Sequence, residues 1–163
     1  VEPEGCMVHA HLIGGTTDIS AGQLVDRIGV SLGMGFPAGK AMDALSMESE
    51  QEKHFTVKTS EGKFSLSGME NKIGAMAQGG AAPADVARYT FETLASVLER
   101  TTQWAKETYG DLPVLCSGGV ASNTLLRRRL EPLGTIFAPA KYPTDNALGI
   151  AILTHRAVER GEV

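Results

Sequence analysis

A glycine-containing turn between an apolar strand and a helix is the clearest candidate for chemistry in this sequence. The segment Ser-Gly-Gly-Val at 117–120 follows the apolar run 113–116 and precedes leucines at helical spacing. Such a turn directs backbone N–H groups and a helix N-terminus towards one point, which favours an anionic ligand. Paired glycines also occur in tight turns that bind nothing, so the pattern alone leaves both interpretations open.

A second polar turn follows the next apolar strand along the chain. The segment Tyr-Pro-Thr-Asp-Asn-Ala at 142–147 lies between the apolar run 135–138 and a final helical pattern. Asp145 is placed where aspartate often caps a helix. Both turns nevertheless follow strands of one predicted parallel sheet, and open α/β sheets bind ligands at the C-terminal ends of their strands. The convergence of the two turns favours a ligand site at that edge.

The elements around these turns predict an α/β fold. The two apolar strands alternate with two helices, of which the last runs over about 146–159 and carries Leu148, Ile152 and Leu153. This alternation is typical of parallel strand pairing. A strand as uniformly apolar as 113–116 is expected to be covered on both faces.

A long amphipathic helix is predicted to begin at Pro83 and to end at Gly110. Proline suits the first turn, where its missing N–H would have no partner within the helix, and glycine is a common C-terminal stop. The predicted buried stripe recurs every three or four positions and comprises Val86, Thr90, Leu94, Val97, Leu98, Thr101 and Ala105.

Two further helices are predicted nearer the start of the chain. Ser20 and Gln23 have the spacing of a capping box, and the helix that they open is expected to stop near Gly33 or Gly35. A second, short helix is predicted over 39–49.

Strands are predicted at 6–13, 55–58 and 63–67, with a turn between the last two. His9 and His11 share one face of the first strand, because side chains alternate along a strand. We interpret both as residues of an exposed strand face rather than as metal ligands.

Composition describes a globular domain with a slightly acidic balance. With 163 residues, 42% of them hydrophobic, the chain can bury a core. The formal net charge of -4 disfavours broad capture of nucleic acid, although three arginines at 127–129 offer a local basic patch. The two cysteines indicate neither a disulfide framework nor a zinc site, and no apolar run approaches the roughly 20 residues that span a bilayer. We therefore expect a cytoplasmic protein without a membrane segment.

Four ordered motifs resemble the TsaD family, formerly labelled glycoprotease, of the actin-like ATPase superfamily. They are Asp-Ile-Ser-Ala-Gly-Gln-Leu-Val-Asp-Arg at 18–27, Leu-Gly-Met-Gly-Phe-Pro-Ala-Gly at 32–39, Phe-Ser-Leu-Ser-Gly at 64–68, and Gly-Gly-Val-Ala-Ser-Asn at 118–123 with Thr-Asp-Asn-Ala at 144–147. The resemblance implies a ribonuclease-H-like, actin-like ATPase domain, in which a mixed sheet is flanked by helices. It also implies that residues 1–163 are the C-terminal half of that fold, with a helical insertion at 20–50 over the cleft and the N-terminal half absent.

The resemblance assigns nucleotide contacts to five positions. Asp26 and Gly39 match the residues that contact the sugar of the nucleotide. Asn123 matches an asparagine that contacts the nucleotide, and Gly118 and Gly119 match the glycines that line its pocket. A carboxylate such as Asp26 is suited to accept hydrogen bonds from ribose hydroxyl groups. The implied ligand is an adenine nucleotide, either ATP or threonylcarbamoyl-AMP.

Asp145 matches the aspartate that ligates a metal ion beside the phosphates, and its oxygen suits Mg²⁺ or Fe²⁺. The His-x-x-x-His pair and the Ser-Gly-Gly loop of the family's first domain have no counterpart here. Gln23 stands where the family usually has glutamate, and Lys40 where it often has proline. We therefore expect a divergent member that binds nucleotide weakly on its own and holds a divalent metal, Fe or Mg, only in the full-length protein.

The function implied by the resemblance is threonylcarbamoyl transfer to the adenosine beside the tRNA anticodon. Its candidate partners are tRNA, a TsaB-like subunit, and a second chain in a homo- or heterodimer. The alternative of another class is a non-catalytic, TsaB-like scaffold or regulatory paralogue. A hydrogenase-maturation carbamoyltransferase shares the Gly-Gly-Val-x-x-Asn turn, but Thr-Asp-Asn-Ala fits the TsaD family better. A glycoprotease-type peptidase is the weakest alternative, because the sequence has no His-Glu-x-x-His and no Ser or Cys with an evident base partner.

Overall fold

A computed structural model describes residues 1–5, 7–139 and 147–161, in which short strands and helices alternate. In chain order the elements are β1 Glu2–Glu4, β2 Met7–His9, β3 Gly15–Thr16, α1 Ala21–Ser31, α2 Gly39–Ser46, β4 Thr59–Ser60, β5 Lys63–Phe64, α3 Ser67–Gln78, α4 Pro83–Tyr109, β6 Val114–Cys116, α5 Thr124–Leu130, β7 Thr135–Phe137 and α6 Ala147–Arg160. Single turns of 3₁₀ helix precede and follow α5, at Val120–Ser122 and Glu131–Leu133.

The strands form three small sheets, which makes the architecture mixed α/β. β1 and β2 are an antiparallel pair, β5 lies between parallel β3 and antiparallel β4, and β6 pairs parallel with β7. The predicted parallel pairing near the C-terminal end is therefore confirmed. Within the described residues the strands are two or three residues long and do not merge into the single mixed sheet that we expected.

Helix α4 is the centre of the core. α1, α2, α3 and α5 all contact it, and six consecutive residues at 90–95 are buried, so this stretch is enclosed on every side. Of the predicted stripe, Val86, Thr90, Leu94 and Val97 are buried, whereas Leu98, Thr101 and Ala105 are half-buried. The buried Thr90 does not leave its hydroxyl group unpaired, because it donates to the carbonyl of Val86 four residues earlier.

The two helices predicted between 20 and 49 are present. Ser20 caps α1, its side chain accepts from the Gln23 N–H, and the Gln23 side chain accepts from the Ser20 N–H, so the capping box is confirmed. α1 ends at Ser31, shortly before Gly33, whose φ of 86° is readily reached by glycine. α2 ends at Ser46, three residues earlier than predicted.

Helix α3 lies in a segment for which the sequence analysis predicted no element, apart from Ser67 at the end of the strand predicted at 63–67. β5 ends at Phe64 instead of Ser67, and α3 begins at Ser67. Met69 and Ile73 are fully buried and Met76 packs against the core. Their spacing of four and then three residues is the helical signal that would have revealed α3.

Arginine and threonine side chains of α4 bind the segment predicted as a strand at 55–58. Thr93 accepts from the Phe55 N–H at 3.0 Å, and Arg100 donates to the Val57 carbonyl at 2.6 Å. With these backbone groups taken by side chains, the segment is not a strand, and β4 begins only at Thr59.

The prediction that the strand at 113–116 is covered on both faces is wrong for the described part of the chain. Leu115 is 68% exposed, and its register partner Ile136 is 57% exposed. The other face is covered because Arg127 of α5 lies over the Phe137 ring, 4.9 Å from its centroid. Within the described residues, helix α5 therefore covers one face of the β6–β7 pair, and the other face is exposed. Ile152, which the last helix carries as predicted, is 43% exposed.

The predicted strand at 6–13 is reduced to β2, which forms an exposed hairpin with β1. His9 lies 2.8 Å from a Glu4 oxygen and His11 lies 3.4 Å from a Glu2 oxygen. Both histidine side chains are more than half exposed, which agrees with the exposed-face interpretation. None of the described helices is both long and apolar enough to cross a membrane.

Candidate nucleotide-binding site

The glycine turn after β6 has an open side. Gly118 has a φ of 99°, which glycine adopts without strain. A side chain added at Gly118 or Gly119 would meet no atom of the described residues within 4 Å. The turn is closed from within by hydrogen bonds from Ala121 to the Gly118 carbonyl and from Ser122 to the Gly119 carbonyl, both 3.1 Å. The open side is where a ligand can approach the main chain.

Two backbone N–H groups at the start of α5 already donate to carboxylate and amide oxygens of the protein. Asn123 Oδ1 accepts from the Leu126 N–H at 2.9 Å, and the Thr124 N–H donates to Asp43 at 3.2 Å. The sequence pattern left open whether these N–H groups face an anionic ligand. Their use within the protein speaks against that role for the start of α5 and leaves the glycines as the approachable part of the turn.

Asn123 is 5% exposed and both ends of its amide are engaged. Besides accepting from Leu126, it donates from Nδ2 to Asp43 Oδ1 at 2.6 Å. An amide nitrogen has two hydrogens and the oxygen has two lone pairs, so these two bonds leave one hydrogen and one lone pair of Asn123 unused.

Asp26 and Gly39 meet where α1 and α2 join. Asp26 is half-buried and accepts the Ala38 N–H on Oδ1 at 2.8 Å, directly before α2 begins at Gly39. Its Oδ2 has no donor among the described residues. A side chain added at Gly39 would also meet no described atom within 4 Å. The second carboxylate oxygen of Asp26 and the open side of Gly39 could thus be reached by a ligand at this junction.

Helices α1 and α2 adjoin the glycine turn. A side chain added at Gly22 of α1 would lie 3.8 Å from Val120 Cγ2. Asp26 is four residues after Gly22 and therefore on the same face of α1. α2 reaches the end of the turn through the hydrogen bond between Asp43 and Asn123. The structure thus places Asp26, Gly39 and Asn123 on three elements in mutual contact.

Asp43 is the site residue that the sequence interpretation missed. It is 80 residues from Asn123, and no local motif relates the two. Its position on the same helix as Gly39, one turn further on, is the only sequence signal that pointed towards the site.

The start of α1 is held against the segment between β5 and α3 by Asp18. This carboxylate accepts from the Ser65 hydroxyl at 2.5 Å, from the Leu66 N–H at 2.8 Å and from the Ser67 N–H at 3.1 Å. The hydrogen bond from Ser65, followed by those from Ser67 and Leu66, holds the pKa of Asp18 far below its ordinary range. Asp18 therefore supports the site by anchoring α1.

We expect Asp18→Asn to destabilise the protein above about pH 5 and to matter progressively less between about pH 4 and pH 2. A carboxyl group with a depressed folded-state pKa stabilises the fold above its unfolded pKa of about 3.9, and that contribution is lost as pH falls towards the folded pKa. Urea unfolding of both proteins at a series of pH values measures the difference. Glu107→Gln, an exposed carboxylate of α4, is the control. A difference for Asp18→Asn that stays constant with pH would contradict the assignment.

The arginine cluster at 127–129 is not the free basic patch that its sequence suggested. Arg127 donates to the carbonyl groups of Ala121 and Ala138, and Arg129 pairs with Glu92 and Glu99. Two of the three guanidinium groups thus hold α5 in place.

Metal ligands are not assembled in the described part of the chain. Among residues 1–5, 7–139 and 147–161 no three histidine, cysteine, aspartate or glutamate side chains are grouped so that they could hold a metal ion. Asp145, the predicted ligand, and the turn 142–146 lie outside the described residues. The role of Asp145 as a metal ligand stays a prediction.

Comparison with known proteins assigns the family. A family model described as TsaD, tRNA N6-adenosine threonylcarbamoyltransferase, matches residues 6–152. Proteins of that name include one from Chloroherpeton thalassium, 32% identical over 96% of this chain and 52% of its own length, and one from Thermus thermophilus, 33% identical over 92% of this chain and 48% of its own length. The chain spans about half the length of the curated relatives it matches. It belongs to the TsaD family.

Proposed function

We propose that this chain forms the nucleotide-binding part of a tRNA threonylcarbamoyltransferase with an actin-like ATPase fold. The observation that supports the proposal is the mutual contact of α1, α2 and the glycine turn, because these are the elements that carry Asp26, Gly39 and Asn123. These three residues match positions that bind the nucleotide in the family. The proposed ligand is an adenine nucleotide, ATP or threonylcarbamoyl-AMP.

Each residue has a distinct task in this proposal. Asp26 uses its second oxygen to accept a ribose hydroxyl, since the first is held by the Ala38 N–H. The open sides of Gly118 and Gly119 let the nucleotide lie against the main chain. Asn123 offers one N–H and one lone pair in a fixed orientation. The chain thereby binds and orients the activated group.

The proposed reaction is acyl transfer. The N6 amino group of a tRNA adenosine attacks the carbamoyl carbon of threonylcarbamoyl-AMP, a C–N bond forms and the bond from that carbon to the phosphate oxygen breaks. AMP leaves and the amine loses a proton. A mixed anhydride is already reactive, so holding it in a fixed position beside the amine supplies much of the rate. The reaction as proposed has no step at a metal ion. The part of the family's fold that this chain does not match is proposed to supply the rest of the cleft.

We expect Asp26→Ala to lower the affinity for ATP about tenfold or more. The loss of a hydrogen bond between a carboxylate and a ribose hydroxyl corresponds to roughly 1.5–3 kcal/mol. NMR titration of the full 163-residue chain suits the weak affinity that we predict, and Glu107→Ala is the matched control on a remote surface. Asp26→Asn tests whether charge is required. Equal ATP affinity for the wild-type protein and Asp26→Ala would remove Asp26 from the site.

A further inference from the structure

The lysines of this chain are concentrated in one part of the surface. Four of the seven lie within residues 53–72, and all four are exposed: Lys53, Lys58, Lys63 and Lys72. None of the four forms a salt bridge with a described residue. Arg27, Arg88 and Arg129, in contrast, are each paired with a glutamate. Four unpaired cations are thus grouped, although the net charge of the whole chain is -4.

The segment that carries Lys58 exposes one polar face. Thr93 of α4 accepts the Phe55 N–H at 3.0 Å, and Arg100 of the same helix donates to the Val57 carbonyl at 2.6 Å. These contacts hold the segment along α4, and burial alternates along it with the period of two that is typical of an extended chain. Positions 55, 57 and 59 are buried or half-buried, whereas the exposed positions are His54, Thr56, Lys58 and Ser60.

Lys63 joins this exposed face through the pairing of β4 with β5. Ser60 and Lys63 are register partners, so their side chains lie on the same side of the pair. Lys58 directly precedes β4, two residues before Ser60, which makes it a diagonal neighbour of Lys63, and such neighbours are typically about 7–8 Å apart. Two ammonium groups this close repel each other unless an anion lies between them.

Lys72 of α3 adds a cation beside the same segment. Its Nζ lies 4.2 Å from the centroid of the Phe55 ring, and Phe55 follows His54 in the chain. We call His54, Lys58, Lys63 and Lys72 the basic strip. The strip therefore draws on α3, on β5 and on the segment that precedes β4.

An open recess adjoins one end of the basic strip. Its walls are formed by Glu52, Lys53, His54, Thr56 and Tyr89. Tyr89 belongs to α4 and is half-buried, and its ring offers an aromatic surface within the recess. Because His54 lines the recess and also belongs to the strip, the two are continuous.

The carboxylates around the strip do not cancel its charge. Glu70 of α3 is paired with Arg27 at 3.0 Å, and Asp18 is bound by three donors within residues 65–67. Glu52 in the recess and Glu61 in the turn between β4 and β5 are the carboxylates closest in sequence to the exposed lysines. We therefore expect the strip to attract anions and Glu61 to weaken that attraction locally.

The chemistry of this surface suits nucleic acid better than a membrane. None of the large apolar side chains that are exposed in the described residues lies between Met47 and Tyr109, so the strip has nothing to insert into lipid. A chain of phosphates matches a row of lysines. An unpaired base has a flat face that can stack on Tyr89, whereas a base in a duplex is already stacked and paired.

We propose that the basic strip binds the phosphate backbone of an unpaired stretch of RNA and that the recess receives one of its bases. That the nucleic acid is RNA rests on the proposed function, in which the acceptor is a tRNA. The charge of the strip and the aromatic wall of the recess do not depend on that function. Binding is weak and depends on salt, because the chain as a whole is acidic.

Fluorescence anisotropy of a fluorescein-labelled tRNA transcript, titrated with the full 163-residue chain at a series of salt concentrations, tests the strip. Lys58→Gln and Lys63→Gln should each weaken binding about three- to tenfold at low salt and reduce the slope of log affinity against log salt by roughly 0.7–1. Arg128→Gln removes the same charge from an exposed position of α5 and should change affinity by less than about twofold. Glu61→Gln should strengthen binding about twofold, since it removes a negative charge two residues from Lys63.

The recess is tested with variants that change no charge. Tyr89→Leu should weaken binding about tenfold and leave the salt slope unchanged, because stacking on a base involves no counterion release. Tyr89→Phe keeps the ring and should bind like the wild-type protein. An RNA duplex without unpaired bases should compete for the chain less well than the unlabelled transcript, and equal competition would remove the recess from the site.

The outcomes separate this inference from the proposed function. Equal affinity and equal salt slope for Lys58→Gln, Lys63→Gln and Arg128→Gln would overturn the strip, and so would a wild-type chain that does not bind the transcript at low salt. ATP affinity, measured by NMR on the same proteins, should not change in the lysine variants. ATP binding without binding of the transcript would overturn this inference alone. Binding of the transcript through Lys58 and Lys63 without ATP binding would instead overturn the proposed nucleotide site.

Discussion

Replacement of Arg129 by methionine should lower the free energy of unfolding by about 1–3 kcal/mol, less than for a fully buried ion pair, because Arg129 is 35% exposed and Glu92 keeps Arg88 as a partner. Glu92 is 2% exposed, and Arg129 donates to its Oε2 at 2.6 Å. Arg129 also forms a two-point contact with Glu99, at 2.8 Å and 2.7 Å. The hydrogen bond to Glu99 is the main cause that raises the pKa of Arg129, with the charges of Glu99 and Glu92 contributing. Loss of the guanidinium leaves Glu92 with Arg88 alone.

Urea unfolding measures this effect, and the neighbouring arginine provides its control. Arg128 is exposed, so Arg128→Met should change the free energy of unfolding by no more than about 0.5 kcal/mol. Adding Glu92→Gln to Arg129→Met should not recover the loss, because Glu92 still pairs with Arg88 at 3.0 Å and an amide would leave Arg88 without its carboxylate partner. Similar stability of Arg129→Met and Arg128→Met would show that the ion pairs contribute nothing to holding α5 on α4.

Arg129 also illustrates what the sequence could and could not predict. Three consecutive arginines suggested a basic surface, but the partners of Arg129 lie 30 and 37 residues earlier on α4. Contacts over such distances depend on how two helices pack and leave no local pattern. The capping box of Ser20 and Gln23 was predictable for the opposite reason, since both partners lie within one turn.

The same difference between local motifs and long-range contacts applies to the candidate site. Asp26, Gly39 and Asn123 were identified through motifs that resemble the TsaD family, and each motif is continuous in sequence. The elements that carry these residues contact one another through Gly22 against Val120 and through Asp43 with Asn123, which join segments about 80 to 100 residues apart. The motifs therefore suggested the residues, while the tertiary structure revealed the connection between them.

Gly29→Ala tests the packing that places α2, and we expect it to destabilise the protein by about 1–3 kcal/mol. In an exposed helix the same change would stabilise by about 1 kcal/mol, because alanine has the higher helix propensity. Gly29 is buried in α1, and an added Cβ would overlap the Cβ of Ala38 and lie 3.0 Å from Met42 Cγ. Ala38 and Met42 are fully buried, so neither can turn towards solvent.

Gly74→Ala is the matched control for Gly29→Ala. Gly74 lies within α3, and an added Cβ there would meet no described atom within 4 Å, so we expect a stabilisation of up to about 1 kcal/mol. Opposite signs for the two substitutions in urea unfolding would show that close helix contact outweighs helix propensity at Gly29. Stabilisation by both would mean that α2 shifts freely. Because Ala38 carries the N–H that binds Asp26, a displaced α2 in Gly29→Ala should also weaken ATP binding, whereas Gly74→Ala should leave it unchanged.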